Sequence, residues 1–277
     1  MKLRAPAKVN LSLRILGKRP DGFHDLESLM TPISLADEIE VKTGIGQGVS
    51  VQCDDAEIPQ DASNLAAVAA RQFHAHTGQR FDARISLRKR IPSGAGLGGG
   101  SSDAAAVLVA LDAIFETQLG AAGLERIAAN IGSDVPFFIR RVPAWARGRG
   151  ERIEPAELPA KLVLALFKPP FGVPTPWAYK HWSTSIELPG VDYAPQVWNG
   201  IEFVNDLERP VFEKYTLLPV MKAWLRAQPE CRVALMSGSG STMFAVCEER
   251  AAAKALVARA LEHFGETLWT AVCEAPV

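Results

Sequence analysis

The chain has 277 residues, 48% of them apolar and 22% charged, with a formal net charge of −1 at pH 7. This is the balance of an ordinary globular protein, and it lacks the overall positive field that draws nucleic acid or an anionic membrane. Neither is expected as a partner, and a polyanionic small molecule would need local rather than global positive charge.

The opening MKLRAPAKVNLSLRIL has no long apolar segment ahead of a small-residue cleavage site, and no window approaches the ~20 apolar residues that span a bilayer. Cys53, Cys231, Cys247 and Cys273 are widely spaced without a CxxC pair. They read as buried reduced thiols in a cytoplasmic protein. Alternation in KVNLSLRIL predicts a strand, and GKRPDGFHD predicts a turn. Further strands are expected at DEIEVKTG, GVSVQC and DARISLRKRI. SNLAAVAARQFHAHTG, closed by Gly78, has helical spacing. Its His74 and His76 lie two apart and face away from each other, which argues against a metal pair. Helices are predicted from about Ser101 to Phe115 and near LERIAANIG, followed by the short apolar VPFFI.

Between residues 141 and 160 the composition turns to Pro, Gly and Arg, which marks a seam between two halves, 1–155 and 156–277. Beyond it KLVLALFKP reads as a buried strand, and RPVFEKY and LLPVMKAWLRAQ as helices. The C-terminal stretch alternates strand, glycine loop, strand, helix and strand through CRVALM, SGSGS, TMFAV, EERAAAKALVARALEHFG and ETLWTAV. No repeat or low-complexity tract interrupts the pattern. The fold class expected is α+β in two domains, and oligomeric state is left open.

The densest chemistry is SGAGLGGGSS, residues 93–102, running straight into a helix. A helix N-terminus leaves N–H groups unpaired and carries about half a positive charge, so it attracts phosphate. Glycines let main-chain amides close around that phosphate. A flexible turn with an N-cap serine is the alternative, but a mere turn does not need Gly94, Gly96, Gly98, Gly99 and Gly100. Ser101 and Ser102 are expected to cap the helix, bind phosphate or ligate magnesium, and Asp103 to point away from the anion. No lysine follows in the Walker A manner. GAGLGG satisfies GxGxxG, yet it follows the basic RKRIP rather than a buried strand, and protein-kinase signatures are absent. The run Arg88–Lys89–Arg90 alone reads as a solvated strand end. LMSGSGSTMFAV, residues 235–246, is a second glycine loop that a hairpin turn would explain equally well.

PAKVNLSLRILGKRPDGFHDLESL, PSGAGLGGGSSDAA and GSGST together resemble the three motifs of the GHMP kinases. The opening, the DGFH turn and GSDVPFF are most similar to the branch of 4-diphosphocytidyl-2-C-methyl-D-erythritol kinases. The resemblance implies an N-terminal ribosomal-protein-like α+β domain with a left-handed crossover and a C-terminal ferredoxin-like domain, the site lying between them. It implies transfer of the γ-phosphoryl group of ATP to the 2-hydroxyl of a small cytidylated polyol, with Mg²⁺, in non-mevalonate isoprenoid precursor synthesis. A mevalonate- or homoserine-type kinase and a non-catalytic nucleotide-binding regulator are the alternatives.

Carried over residue by residue, the resemblance makes Lys8 and Asp134 the catalytic pair, although Asp134 alone could be a turn aspartate. Pro92, Ser93, Gly94, Ala95, Gly96, Leu97, Gly98, Gly99, Gly100, Ser101 and Ser102 would hold ATP, with Asn64 and Leu65 on its adenine side and Lys89 joining them from just before the loop. Asn10 shares a strand face with Lys8 and would meet the acceptor. His24, otherwise a lone structural histidine, would read cytosine, and Phe23 stands where tyrosine is common. Tyr179 would stack on the base with Thr175 nearby, and Ser237, Gly238, Ser239 and Gly240 would complete the substrate side. No dedicated carboxylate set for a metal is visible.

Overall fold

The computed structural model describes residues 1–46 and 48–276. The opening alternation splits into β1 (Lys2–Asn10) and β2 (Ser12–Lys18), because the N–H of Leu11 turns to the carbonyl of Leu29 (2.8 Å). The DGFH turn then leads into β3 (His24–Gly44), 21 residues long, which organises the first sheet. β1 pairs antiparallel with its middle, from Lys2↔Glu40 to Asn10↔Met30. β2 pairs with its start. Its end pairs with β5 (Asp82–Arg88), which in turn takes β4 (Val49–Cys53) in parallel. That parallel pair is joined through helix α1 (Leu65–Thr77), capped by the Asn64 side chain on the N–H of Ala66 (2.9 Å) and closed by Gly78 in the left-handed region.

Helices α2 (Gly99–Phe115), α3 (Gly120–Ala128) and α4 (Phe137–Arg140) follow. The presumed seam is folded: β6 (Ala144–Gly148) and β7 (Arg152–Pro155) form a hairpin whose first strand pairs with β3. Proline and glycine there mark a turn and a strand end rather than a linker. Next come β8 (Leu162–Lys168), α5 (Thr175–His181), β9 (Gln196–Trp198), β10 (Ile201–Asn205), α6 (Glu208–Lys214) and α7 (Leu217–Arg226). The chain ends with β11 (Val233–Met236), β12 (Met243–Cys247), α8 (Arg250–Phe264) and β13 (Trp269–Ala275).

The second sheet is antiparallel in the order β11-β12-β8-β13, the split βαβ arrangement of ferredoxin-like domains. The β9–β10 hairpin belongs instead to the nine-stranded first sheet, through a parallel β10–β2 pairing at Val204↔Ser12. Three apolar layers result. One face of the first sheet packs Met30, Ile39 and Val41 against Phe73 of α1 and the small-residue run Ala104–Leu108 of α2. Its other face sets Ala7, Val9 and Leu11 against Leu164, Leu166 and Phe244 of the second sheet. Beyond that sheet, Met221 and Leu225 of α7 and Leu256 of α8 close the third layer.

One local irregularity decides where chemistry can occur. Ala5 packs on the helix side of the first sheet, whereas Ala7 and Val9 pack on the sheet side. The parity changes at a bulge between Pro6 and Lys8. A bulge re-aims the side chains that follow it, so Lys8 and Asn10 turn toward the start of α2.

Candidate active site

A cleft of about 880 Å³ opens where β1, the glycine loop, the segment before α4 and helix α5 converge. Loop residues 92–101 line it with Lys8, Asn10, His24, Asp134, Thr175 and Tyr179. The glycine loop is stitched on both sides. The N–H of Lys8 donates to the carbonyl of Leu97 (3.0 Å), and the N–H of Thr242, from the second glycine loop, donates to the carbonyl of Ala95 (3.3 Å).

Helix α2 begins just after Gly98, whose φ of +72° ends the loop in the left-handed region. A Cβ there would lie 2.7 Å from the ring of Phe138 and 3.2 Å from Cγ of Lys8. Bare backbone is therefore what brings the positive helix end beside Lys8. Among the described residues, no side chain caps this helix. Ser101 and Ser102 lie inside its first turn rather than at the cap, which removes capping from the three roles open to them. Ser101 lines the cleft; Ser102 does not, and its buried Oγ has no partner among the described residues.

Lys8 is 3% exposed and its ammonium lies 3.7 Å from Asp134 Oδ2 and 2.5 Å from Asn10 Oδ1. Burial lowers the Lys8 pKa, and the Asp134 carboxylate opposes that shift. Asn10 passes the chain on, donating to Ser28 Oγ (2.8 Å), whose hydroxyl donates to the carbonyl of Ser12 (2.5 Å). Asp134 is different: its side chain is 40% exposed, open to whatever enters the cleft. A buried cation with a fixed orientation faces a reachable carboxylate.

Lys89 departs from the solvated strand end expected of it. Its ammonium is buried between Asp37 and Asp103, 2.6 Å from Asp103 Oδ2. Asp37 also accepts from the N–H groups of Arg90 (2.6 Å) and Ile91 (2.9 Å). This corrects the expectation that Asp103 points away. It turns inward and binds the strand before the loop to the helix after it, with its charge offset by Lys89 before any phosphate arrives. Two carboxylates share one ammonium here, and burial pushes the Asp103 carboxyl up to about 7.

A raised folded pKa stabilises the fold fully below the ordinary carboxylate range, and that stability is lost as pH rises. The melting temperature of the native chain minus that of Asp103→Asn is therefore expected to fall between about pH 4 and about pH 7. A pH-independent difference in differential scanning fluorimetry would show Asp103 ionised throughout.

The far end of the cleft is aromatic. The His24 ring lies 5.6 Å from Tyr179, and Trp182 stands edge-on to it at 6.0 Å. Burial, with a smaller effect from Lys18, lowers the His24 pKa. The neutral ring can then present one N–H and one lone pair. Burial and nearby Asp134 raise the Tyr179 phenol well above its usual range. Phe23 is half exposed and carries the Arg149 guanidinium 4.9 Å from its ring centroid. Thr175 and Ser239 share a hydroxyl hydrogen bond of 2.7 Å.

Other expected residues act from behind. Asn64 lines the cleft, but its amide oxygen caps α1 and its amide nitrogen donates to the carbonyl of Pro59 (2.6 Å). Leu65 joins Ile58 and Pro59 in an apolar wall beside it. Gly238 and Ser239 line the cleft, whereas Ser237 and Gly240 lie beneath it against Gly96. Sequence reasoning missed Lys18, Arg149 and Lys180, which bring positive charge to the cleft. The signal for Arg149 is an arginine between two glycines in ARGRGER, which the sequence alone does not distinguish from the rest of the Pro-, Gly- and Arg-rich seam.

Comparison with known proteins accords with this geometry. Residues 64–141 match the family model of the GHMP kinases N terminal domain, and residues 198–266 that of the GHMP kinases C terminal domain. A 4-diphosphocytidyl-2-C-methyl-D-erythritol kinase from Methylacidiphilum infernorum is 43% identical over 98% of this chain and 95% of its own length. The enzyme of the same name from a Geobacter species is 38% identical over 93% of each chain. A crystal structure of 4-(cytidine 5′-diphospho)-2C-methyl-D-erythritol kinase superposes with a TM-score of 0.80 at 37% identity, covering 99% of both chains. Homoserine kinase from Cytophaga hutchinsonii, at 17% identity and a TM-score of 0.72, shares the fold. The chain belongs to the GHMP kinases, within the family of the 4-diphosphocytidyl-2-C-methyl-D-erythritol kinases.

Proposed function

We infer that this chain transfers the γ-phosphoryl group of ATP to the 2-hydroxyl of 4-diphosphocytidyl-2-C-methyl-D-erythritol. The observation that carries the reading is the Lys8–Asp134 pair, 3.7 Å apart beside the glycine-lined start of α2. Phosphoryl transfer asks mainly for positioning and for stabilisation of spreading negative charge. The main-chain amides of residues 94–101 and the α2 N-terminus supply that charge stabilisation to the triphosphate. Adenine fits the apolar wall of Ile58, Pro59 and Leu65.

Asp134 receives or orients the hydroxyl proton as the new O–P bond forms and the bond to the ADP oxygen breaks. Lys8 holds the acceptor oxygen and the transferring group together, and Asn10 fixes the ammonium's direction. Cytosine sits among His24, Tyr179 and Phe23, with the neutral His24 reading its edge. Lys18, Arg149 and Lys180 face the diphosphate of the acceptor. Residues 1–155 form the ATP-binding unit. Residues 156–277 contribute Thr175, Tyr179 and the second glycine loop to the substrate side, opposite Phe23 and His24 of the first unit.

Among the described residues, no three His, Cys, Asp or Glu side chains converge as a metal site. The donors at hand, Ser101 and Asp134, suit a magnesium ion held mainly by phosphate oxygens and water. Such an ion would neutralise phosphate charge.

The test is ADP release with three acceptors. Turnover is expected with the cytidylated polyol and not with mevalonate or homoserine. Turnover with mevalonate or homoserine alone would reassign the acceptor, and ATP binding without turnover would support a regulator.

A further inference from the structure

We infer that Asn205 and Glu208, the latter anchored by Lys222, are positioning residues that set the second glycine loop against Lys8 and the phosphate loop. None of the three lines the cleft. All are nearly fully buried, at 4%, 1% and 3% exposure. Buried charges and amides on this scale need a partner to offset desolvation, and their partners lead to the active site.

Lys222 of α7 donates to Glu208 Oε2 at 2.5 Å, and Glu208 Oε1 accepts from the N–H of Met236 at 2.9 Å. Asn205, at the end of β10, donates from its amide nitrogen to the carbonyls of Met236 (2.7 Å) and Gly238 (2.8 Å). Its oxygen accepts from the N–H of Leu207 (2.9 Å), which fixes the amide's orientation. Met236 is the last residue of β11, so both side chains grip the exact stem from which residues 237–242 depart.

What the loop touches gives the grip its consequence. A Cβ on Gly238 would lie 3.2 Å from Lys8 Nζ and 3.3 Å from Asn10 Oδ1, so this backbone forms a wall around the catalytic ammonium. Ser237 Oγ donates to the carbonyl of Gly96 (3.1 Å). A shift at Met236 therefore moves the surroundings of Lys8 and the phosphate loop together. Displacing reacting groups by about 1 Å can cost on the order of a hundredfold in rate.

The inference rests on the kinase reading for its rate consequence, and the test separates the two. Glu208→Gln with Lys222→Met removes both charges but keeps a carbonyl acceptor for the N–H of Met236. Glu208→Leu with Lys222→Met removes the acceptor as well. The first pair is expected to keep kcat within about threefold of the native chain, and the second to lose about tenfold or more with KM for ATP changed less than kcat. Hydrogen–deuterium exchange without any substrate is expected to speed up at the amides of residues 237–242 in the second pair only. Equal kcat and equal exchange in the two pairs would overturn the inference. Should the Leu/Met chain not fold, Asn205→Ala decides by the same two measurements, with unchanged exchange and kcat overturning it. A native chain that turns over no acceptor would count against the kinase reading alone, because the exchange measurement needs no turnover.

Discussion

Replacing Asp134 by Asn is expected to lower kcat by about 10²- to 10⁴-fold, the range that a positioned proton acceptor contributes. KM for ATP is expected to stay within a few-fold, because the triphosphate is held by main-chain amides that the substitution leaves in place. The Asp134 side chain is 40% exposed but the Lys8 ammonium it faces is buried, so stability is expected to fall by about 1–3 kcal/mol. Asn keeps the shape and can still accept one hydrogen bond, but it can neither take the proton nor balance Lys8. The ammonium, 2.5 Å from Asn10 Oδ1, then lacks the Asp134 counter-charge, and burial lowers its pKa with less opposition. Steady-state kinetics with ADP-release detection, together with calorimetric ATP binding, check the expectation. Turnover within threefold of the native chain would remove Asp134 from the mechanism.

Much of the site was legible because its main signal is local. Five glycines within seven residues, running into a helix, specify an amide-lined loop whatever surrounds them, and helix α2 begins within two residues of where the spacing places it. What was not legible depends on contacts between distant segments. Asp103 was expected to turn away from the anion, and nothing nearby in sequence says that Lys89 and Asp37, 52 residues apart, converge on it. Alternation put Lys8 and Asn10 on one face, but only the bulge after Pro6 determines that this face looks toward α2. The second glycine loop could have been a plain hairpin turn. Its bond to Gly96, across 141 residues, is a property of how two sheets stack. Arg149 was hidden because a Gly- and Arg-rich stretch looks the same whether it is a linker or a hairpin beside an aromatic ring.

That sheet-to-sheet contact yields the second large effect, at Gly96. Its φ is +73°, and a Cβ would lie 2.1 Å from the carbonyl oxygen of Ser237 and 3.0 Å from that of Gly240. Both neighbours are backbone, so neither can rotate away as a side chain would. Gly96→Ala must push the two glycine loops apart, which strains the Thr242-to-Ala95 and Ser237-to-Gly96 hydrogen bonds. Left-handed backbone costs alanine about 1–2 kcal/mol, and overpacking adds about 1–3 kcal/mol. The loss in unfolding free energy is then about 2–5 kcal/mol, with kcat/KM for ATP reduced on the order of a hundredfold as the amides leave the phosphates. Gly190→Ala separates the two causes, since Gly190 has a φ of +78° but no atom within 4 Å of a built Cβ. Strain alone applies there, so about 1–2 kcal/mol should be lost with turnover unchanged. Urea unfolding and ATP kinetics on both variants make the comparison. If Gly96→Ala proved as mild as Gly190→Ala, the loops would have room to part, and their close apposition would not be what holds the phosphate-facing amides in place.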